Sequence, residues 1–339
     1  MSAPRLSVPR PRDALVQLAD QLEGRARALV AAPAGSGKTT LLSVWRERWA
    51  AREQPSAYLG LAPLHADAAI LLADLLAAVR TAHPEFGTEC ERTLAHQLGS
   101  EQDWRLLARA FLRDRAADPL PLVVVLDDFH EVPSDAAGAR LVDAWLRSEA
   151  PNLRWVIATR GALPGAAARL RAADALLEVD QNQLSLRSDE LQRLFAERGG
   201  PIAPALAARL PARTGGRATG IQLAARRIEQ LPGAQHEGYV DRLAREPDLF
   251  GFVAAEVLRD EPDALGSVAE IVALLDGCTP EDVAEISGDP DAPAWIERAV
   301  ERGVLRVGDG GVRTQPLWRD ALRERARSRR SPAEHRALL

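Results

Sequence analysis

The single lysine of this 339-residue chain, Lys38, stands inside Ala32-Pro33-Ala34-Gly35-Ser36-Gly37-Lys38-Thr39, and the other 42 of its 43 Lys and Arg residues are arginine. A short apolar run over residues 28–34 leads into this segment, and residues 39–51 read as a helix after it. The glycine-rich stretch therefore joins a buried strand to a helix N-terminus. Gly35 and Gly37 permit a backbone path free of side chains, and the helix start adds N–H groups and a favourable dipole. Lys38 supplies a compact, strongly hydrated charge that a guanidinium fork does not reproduce. The pattern is a phosphate-binding loop (Walker A), with Ala32 in the place of the usual first glycine. A buried strand that ends in such a loop demands flanking strands and helices over both faces of a sheet.

The rest of the N-terminal half supplies them. Buried-strand candidates follow at 57–61, 122–126, 155–159 and 176–179, separated by helical stretches at 67–80, 103–117 and 136–148. Strands alternating with helices predict a three-layer α/β domain with a parallel sheet over residues 1–183. From Ser188 the strand signal stops. Helical segments at 188–198, 203–212 and 219–230, broken by Gly199-Gly200-Pro201 and Thr214-Gly215-Gly216, predict a small helical lid domain over 184–234. Further helices are expected at 248–259, 263–275, 280–287 and 293–302. Strands at 304–307 and 312–314 flank a glycine-rich turn, and a last helix starts at Leu317. Helices closed by a hairpin predict a winged helix over 235–330, with 331–339 as a tail or the start of a further region. The expected fold class is thus an α/β P-loop NTPase domain followed by a helical lid and a winged helix.

A nucleotide site follows from these placements. Pro33, Ala34, Gly35, Ser36, Gly37, Lys38, Thr39 and Thr40 form the expected phosphate cradle. Lys38 bridges the β- and γ-phosphates, and Thr39 ligates Mg²⁺. The run Leu122-Val123-Val124-Val125-Leu126 ends in Asp127-Asp128, which delivers two carboxylates to the C-terminal edge of the sheet, where ligands of open α/β sheets bind. Asp127 is read as the acid that holds the Mg²⁺ shell, and Asp128 as the residue that orients the attacking water. Arg160 ends the strand Trp155-Val156-Ile157-Ala158-Thr159 and is the cation expected to sense the γ-phosphate. Lys38, Asp128 and Arg160 form the expected catalytic set.

Other chemistries find little support. The net charge of −5 supplies no global field for nucleic acid or an anionic surface. Between Gln235 and Gly310 there are 18 acids against 6 arginines, which opposes direct nucleic-acid binding by the winged helix. The basic stretch Arg323, Arg325, Arg327, Arg329 and Arg330 is read as a solvated helix end, with Asp320 and Glu324 as neighbours for intrahelical pairing. Trp45 and Trp49 are expected to pack against the sheet, and His130 to support the acid pair without catalysing. Cys90 and Cys278 stand far apart, without metal-ligand spacing, and read as reduced thiols. Residues 1–12 lack an apolar signal core, and no apolar run approaches the roughly 18–20 residues that span a bilayer. The expectation is a cytoplasmic protein with no membrane partner. Met1, the single methionine, reads as a natural start.

These elements, in this order, resemble the ATPase region of MalT-like, LuxR-family bacterial regulators, members of the STAND class of P-loop NTPases. The resemblance rests on residues 32–40, on Leu126-Asp127-Asp128-Phe129-His130, on the stretch from Ala150-Pro151-Asn152-Leu153 to Ala158-Thr159-Arg160, and on Thr214-Gly215-Gly216-Arg217-Ala218-Thr219-Gly220-Ile221-Gln222-Leu223-Ala224. It implies a switch that closes over ADP and opens with ATP. Arg12 joins the nucleotide-contact set. The family carries Gly-x-Pro at the lid, its proline near the adenine, where this chain has Gly216-Arg217-Ala218; it often carries a phosphate-reaching histidine where this chain has Gln315. After the second strand it has Ser-Leu-Asp, against Gly60-Leu61-Ala62 here. Ala218 and Gln315 are expected to line the site while locking ADP less firmly.

The implied function is a weak ATPase used as a regulatory clock, with ATP/ADP and Mg²⁺ as cofactors. Self-association or a protein partner is expected on activation. The alternatives are a P-loop kinase or phosphotransferase, and a degenerate nucleotide-binding module without hydrolysis. Family members continue into sensor repeats and a DNA-binding helix-turn-helix, whereas this chain ends at Leu339. A stand-alone switch and the N-terminal part of a longer product both stand open.

Overall fold

Four consecutive aliphatic residues, Val123 to Leu126, are wholly buried in a strand whose two faces are both covered, as a continuous apolar run requires. The computed structural model describes residues 13–23, 25–97, 103–118, 120–150, 152–161, 166–198, 202–243, 262–275, 277–308, 311–315, 318–319, 322–323 and 325–326. These divide into two units. One comprises the described residues up to 32 together with 38–183; the other comprises 33–37 together with those from 184 onward.

The first unit is built on β1 (Arg27–Ala31), β2 (Ser56–Gly60), β3 (Leu122–Asp127), β4 (Leu153–Thr159) and β5 (Leu176–Val179). They form one sheet in the order β2-β3-β4-β1-β5, every pair parallel. The apolar run at 28–34 is strand only as far as Ala31; Pro33, which cannot donate to a ladder, lies in the loop. Around the sheet run α1 (Asp13–Glu23), α2 (Lys38–Ala51), α3 (Ala68–Arg80), α4 (Thr88–Gln97), α5 (Trp104–Ala117), α6 (Ala137–Arg147) and α7 (Ala166–Ala172), with α8 (Gln181–Leu184) at its end. Asp67 caps α3 by accepting from the amides of Ala69 and Ile70, and Asp103 caps α5 through the amide of Arg105.

Alternation along the strands sorts the side chains. Leu122, Val124 and Leu126 enter the same core as Leu72, Leu75, Phe111 and Trp145. Val123 and Val125 are equally buried but face the other way. The centre of this core is aromatic: Trp145 stacks on Trp155 at 5.4 Å, with Phe111 4.8 Å from Trp145 and 5.8 Å from Trp155. Trp45 is buried, and its indole N–H donates to the Leu15 carbonyl at 3.0 Å, a partner on a helix absent from the sequence expectation. Trp49 lies 6.0 Å from Trp45.

The second unit contains α9 (Ser188–Arg198), α10 (Pro204–Thr214), α11 (Ala218–Gln230), α12 (His236–Arg242), α13 (Asp263–Leu275), α14 (Pro280–Ser287) and α15 (Ala292–Glu301), then β6 (Leu305–Gly308) and β7 (Gly311–Thr314) as an antiparallel hairpin. The helix expected at 248–259 lies outside the described residues. Cys278 exchanges backbone hydrogen bonds with Val312 and adds a short third rung to the hairpin. After it, Trp318, Leu322 and Ala326 are buried at four-residue spacing, consistent with the expected last helix. That helix corrects the reading of its basic stretch as a solvated end. Arg323 Nε donates to the Ala273 carbonyl at 2.6 Å, and Arg325 Nε pairs at 2.9 Å with Glu270, itself buried. A carboxylate buried on α13 needs such a partner. Arg327, Arg329, Arg330, Asp320 and Glu324 lie outside the described residues. No described helix is long and apolar enough to cross a membrane.

Trp145 touches both Phe111 and Trp155, so W145A leaves a cavity at the centre of the first unit. The expected cost is about 3–5 kcal/mol, read as a lowered denaturation midpoint in urea.

Candidate phosphate-binding site

Because all five strands run parallel, their C-terminal ends share one edge. β4 lies between β1 and β3, pairing Ala31 with Thr159 and Leu126 with Ile157. Arg160 therefore leaves the sheet between the strand that enters the glycine loop and the strand that carries the acids. Lys38 opens α2, is buried, and donates from Nζ to the Ala32 carbonyl at 2.7 Å. Thr39, one residue on, directs its hydroxyl to Asp127 Oδ2 at 3.4 Å, and Thr40 follows on the same turn, half-buried.

Asp127 is almost wholly buried, and its two oxygens have different partners. Oδ1 accepts from the Asp128 amide at 2.9 Å; Oδ2 accepts from the Tyr58 hydroxyl at 2.9 Å. Burial, the Asp127 charge and this hydrogen bond together push the phenol well above its ordinary value. Tyr58 was absent from the sequence expectation, since nothing in the sequence fixes β2 as the neighbour of β3.

Asp128 adopts the left-handed conformation (φ 55°), which Asp tolerates better than most residues. Burial first, then the neighbouring charges of Asp127 and Glu131, raise its carboxyl above the usual range; Lys38 and Arg160 act the other way. His130 Nδ1 lies 3.8 Å from Asp128 and Nε2 lies 3.0 Å from Glu131, beside the acid pair as expected.

The other part of the loop belongs to the second unit. Gly35 (φ 72°) and Gly37 (φ 98°) take conformations that side chains oppose. The Gly35 carbonyl accepts from the Thr219 amide at 3.0 Å, at the first turn of α11. The Ala34 carbonyl accepts from Arg217 Nη1 at 3.4 Å, while Arg217 Nη2 donates to the Gly303 carbonyl. Gly303 is itself required: it has φ 68°, and a Cβ there would lie 2.5 Å from Pro33 Cβ and 2.9 Å from Arg217 Nη2. Arg217 is 2% exposed, and burial lowers its pKa to about 10. In a trans peptide, the C=O and the following N–H point oppositely. Turning the Ala34 carbonyl to Arg217 therefore turns the Gly35 amide away from the lid. Arg217 and Thr219 were missed in sequence because they lie within a motif read only for its absent proline.

Ala218, buried, packs 3.4 Å from the Cβ position of Gly37, so this expected contact does adjoin the loop. Ser36 is buried in the loop, and Pro33 is half-buried. Gln315 is fixed by its backbone: its amide donates to Val304, next to Gly303, at 2.9 Å, and its carbonyl accepts from Trp318. Arg12 lies outside the described residues.

Residues 11–157 match the AAA ATPase domain family, and residues 254–335 match the MalT winged helix domain family. With the five-stranded parallel sheet, these matches liken the N-terminal part to α/β P-loop ATPase domains and the C-terminal part to the MalT-type winged helix. Over 322 residues the chain is 29% identical to the HTH-type transcriptional regulator MalT of Cronobacter sakazakii, covering 91% of this chain and 35% of that protein. It thus spans about a third of the length of that relative. A Walker-type ATPase of Pyrococcus abyssi shares the fold at a TM-score of 0.60 and 14% identity, over 94% of this chain and 97% of the other. A STAND protein with a tetratricopeptide repeat sensor from Pyrococcus horikoshii overlays at a TM-score of 0.46 and 16% identity, over 95% of this chain and 43% of the other.

Because the fold raises the pKa of Asp128, its ionised form destabilises the folded chain. The penalty is complete above the folded-state pKa and vanishes below the ordinary value of about 3.9. D128N is therefore expected to raise the thermal midpoint at neutral pH, the gain shrinking as the pH is lowered toward about 4, in paired melting curves.

Proposed function

We propose that this chain is a nucleotide-responsive regulatory module, binding ATP with Mg²⁺, hydrolysing it slowly, and using the difference between ATP and ADP to set the state of its lid and winged helix. The observation that carries this reading is the bonding of the loop to α11. Two successive carbonyls, of Ala34 and Gly35, are held by Arg217 and Thr219, and Arg217 also holds Gly303. A phosphate that settles on the loop amides must act on the same peptide planes that these residues grip. Binding at the loop and the position of the lid are then two ends of one bonded unit, which is the coupling a switch needs.

The residues present fit a magnesium nucleotide. The Thr39 hydroxyl and the Asp127 carboxylate are hard oxygen donors 3.4 Å apart at the loop's end, the donor type Mg²⁺ takes. Lys38 and Thr39 would hold the nucleotide and its metal, the metal supplying charge neutralisation at the β- and γ-phosphates. Lys38 and Arg160 place positive charge where negative charge builds on the transferred group. Asp128, ionised, accepts a hydrogen bond from the attacking water and aligns it. In a longer product of the MalT kind, the module would govern transcription through domains beyond the winged helix, with self-association or a protein partner following ATP binding.

Two variants separate binding from turnover. K38A removes a charge-assisted contact of roughly 1.5–3 kcal/mol, so nucleotide affinity is expected to fall about 10- to 100-fold. D128N is expected to keep ATP and lose turnover in a phosphate-release assay. Chromatography of the nucleotide released on denaturing the purified protein is expected to show ADP. Intact affinity in K38A would refute the site; unchanged turnover in D128N would remove Asp128 from the hydrolytic step, and wild-type turnover at background would leave a binding module without hydrolysis.

The coupling has its own test. R217A removes both loop-side and Gly303 contacts without touching Lys38 or the acids. Its release of a fluorescent ADP analogue, followed by stopped flow, is expected to be about tenfold faster than wild type, matching the loss of the single loop-side hydrogen bond from a charged donor.

A further inference from the structure

Among the described residues, Tyr58 is the one group on Asp127 Oδ2 that the phosphate-loop chemistry does not account for. It sits on β2, with Tyr58 opposite Val125 and Gly60 opposite Asp127 in the parallel register. Residues 58 and 60 share a face of the strand, so the phenol ring extends along that face toward the C-terminal edge. It passes alongside Gly60, where a Cβ would stand 3.9 Å from Tyr58 Cε1, an ordinary van der Waals contact. From α2, the Arg46 guanidinium stacks over the ring at 4.7 Å from its centroid. The hydroxyl then reaches Asp127 Oδ2 at 2.9 Å, the same oxygen that Thr39 faces at 3.4 Å.

We infer that Tyr58 is a positioning residue of the metal site, holding the Asp127 carboxylate so that Oδ2 is presented beside the Thr39 hydroxyl. This rests on the reading of Asp127 as the acid of a Mg²⁺–nucleotide site. A carboxylate on its own turns about its last torsion, which is broad. Here the Asp128 amide fixes Oδ1 and the Tyr58 hydroxyl fixes Oδ2, so both oxygens have assigned directions. Outer partners of this kind orient metal-facing ligands, and their loss weakens metal affinity by about 10- to 100-fold. Tyr58 touches no reacting atom; its effect passes through Asp127.

The test uses the full chain and equilibrium binding of a fluorescent ADP analogue, titrated with MgCl₂ and repeated in EDTA. Y58F deletes the hydroxyl alone and keeps the ring under Arg46. The Mg²⁺ concentration for half-maximal enhancement of binding is expected to rise about tenfold, with affinity in EDTA unchanged. D127N, run alongside, is expected to abolish the Mg²⁺ enhancement. Should D127N keep it, the assignment of Asp127 fails, and the role of Tyr58 fails with it. Should D127N lose it while Y58F titrates like wild type, Asp127 stands and Tyr58 has no positioning role. An equal loss for Y58F in EDTA and in Mg²⁺ would make the hydroxyl a support of the loop in general, which also overturns the inference.

Discussion

The parallel order of five strands is the constraint on which the first unit depends. Had β3 neighbored β1 directly, Arg160 would not emerge between the loop-bearing and the acid-bearing strands. With β4 between them, a buried lysine, a threonine hydroxyl, two carboxylates and an arginine follow three neighbouring strands at one sheet edge. The aromatic core of Phe111, Trp145 and Trp155 packs one face of the same sheet, with Trp155 level with Arg27 at the start of β1.

Charge placement around Asp127 and Asp128 follows from that edge. Two adjacent carboxylates at a strand end repel, and the fold answers differently for each. Asp127 is buried and takes an amide, a phenol and a threonine hydroxyl as partners. Asp128, turned by a left-handed backbone, remains half-buried with a raised pKa and lies in the field of Lys38 and Arg160. Neighbours in sequence thus acquire separate environments, as the proposed division of labour between them requires.

The second unit is organised by a buried guanidinium instead. Arg217 carries five donors into a space where burial alone lowers its pKa, and its described partners are backbone carbonyls 183 and 86 residues away in sequence. The lack of a side chain at Gly303 allows the approach. Where the MalT-like pattern expects a proline to define the lid, this chain has Ala218 against Gly37 and the arginine before it on the loop. The altered residues are therefore not simply a loss; they come with contacts of another kind.

The sequence by itself determined the local chemistry: a phosphate loop at 33–40 with its lysine, an acid pair at the end of a buried run, alternating strands and helices, and a hairpin closing a helical region. Such features depend on residues a few positions apart, and backbone preference and periodicity act over that range. Helices of weak periodicity, such as α4, and the helix that receives the Trp45 indole escaped it. Tertiary structure alone decided the strand order, which set Tyr58 against Asp127 across 69 residues. It also brought Arg217 to Ala34 and Gly303, and sent Arg323 and Arg325 inward to α13 where a run of arginines suggested solvent. The physical reason is common to all three. A hydrogen bond or ion pair between distant residues is selected by which surfaces pack together, and no spacing along the chain records that choice.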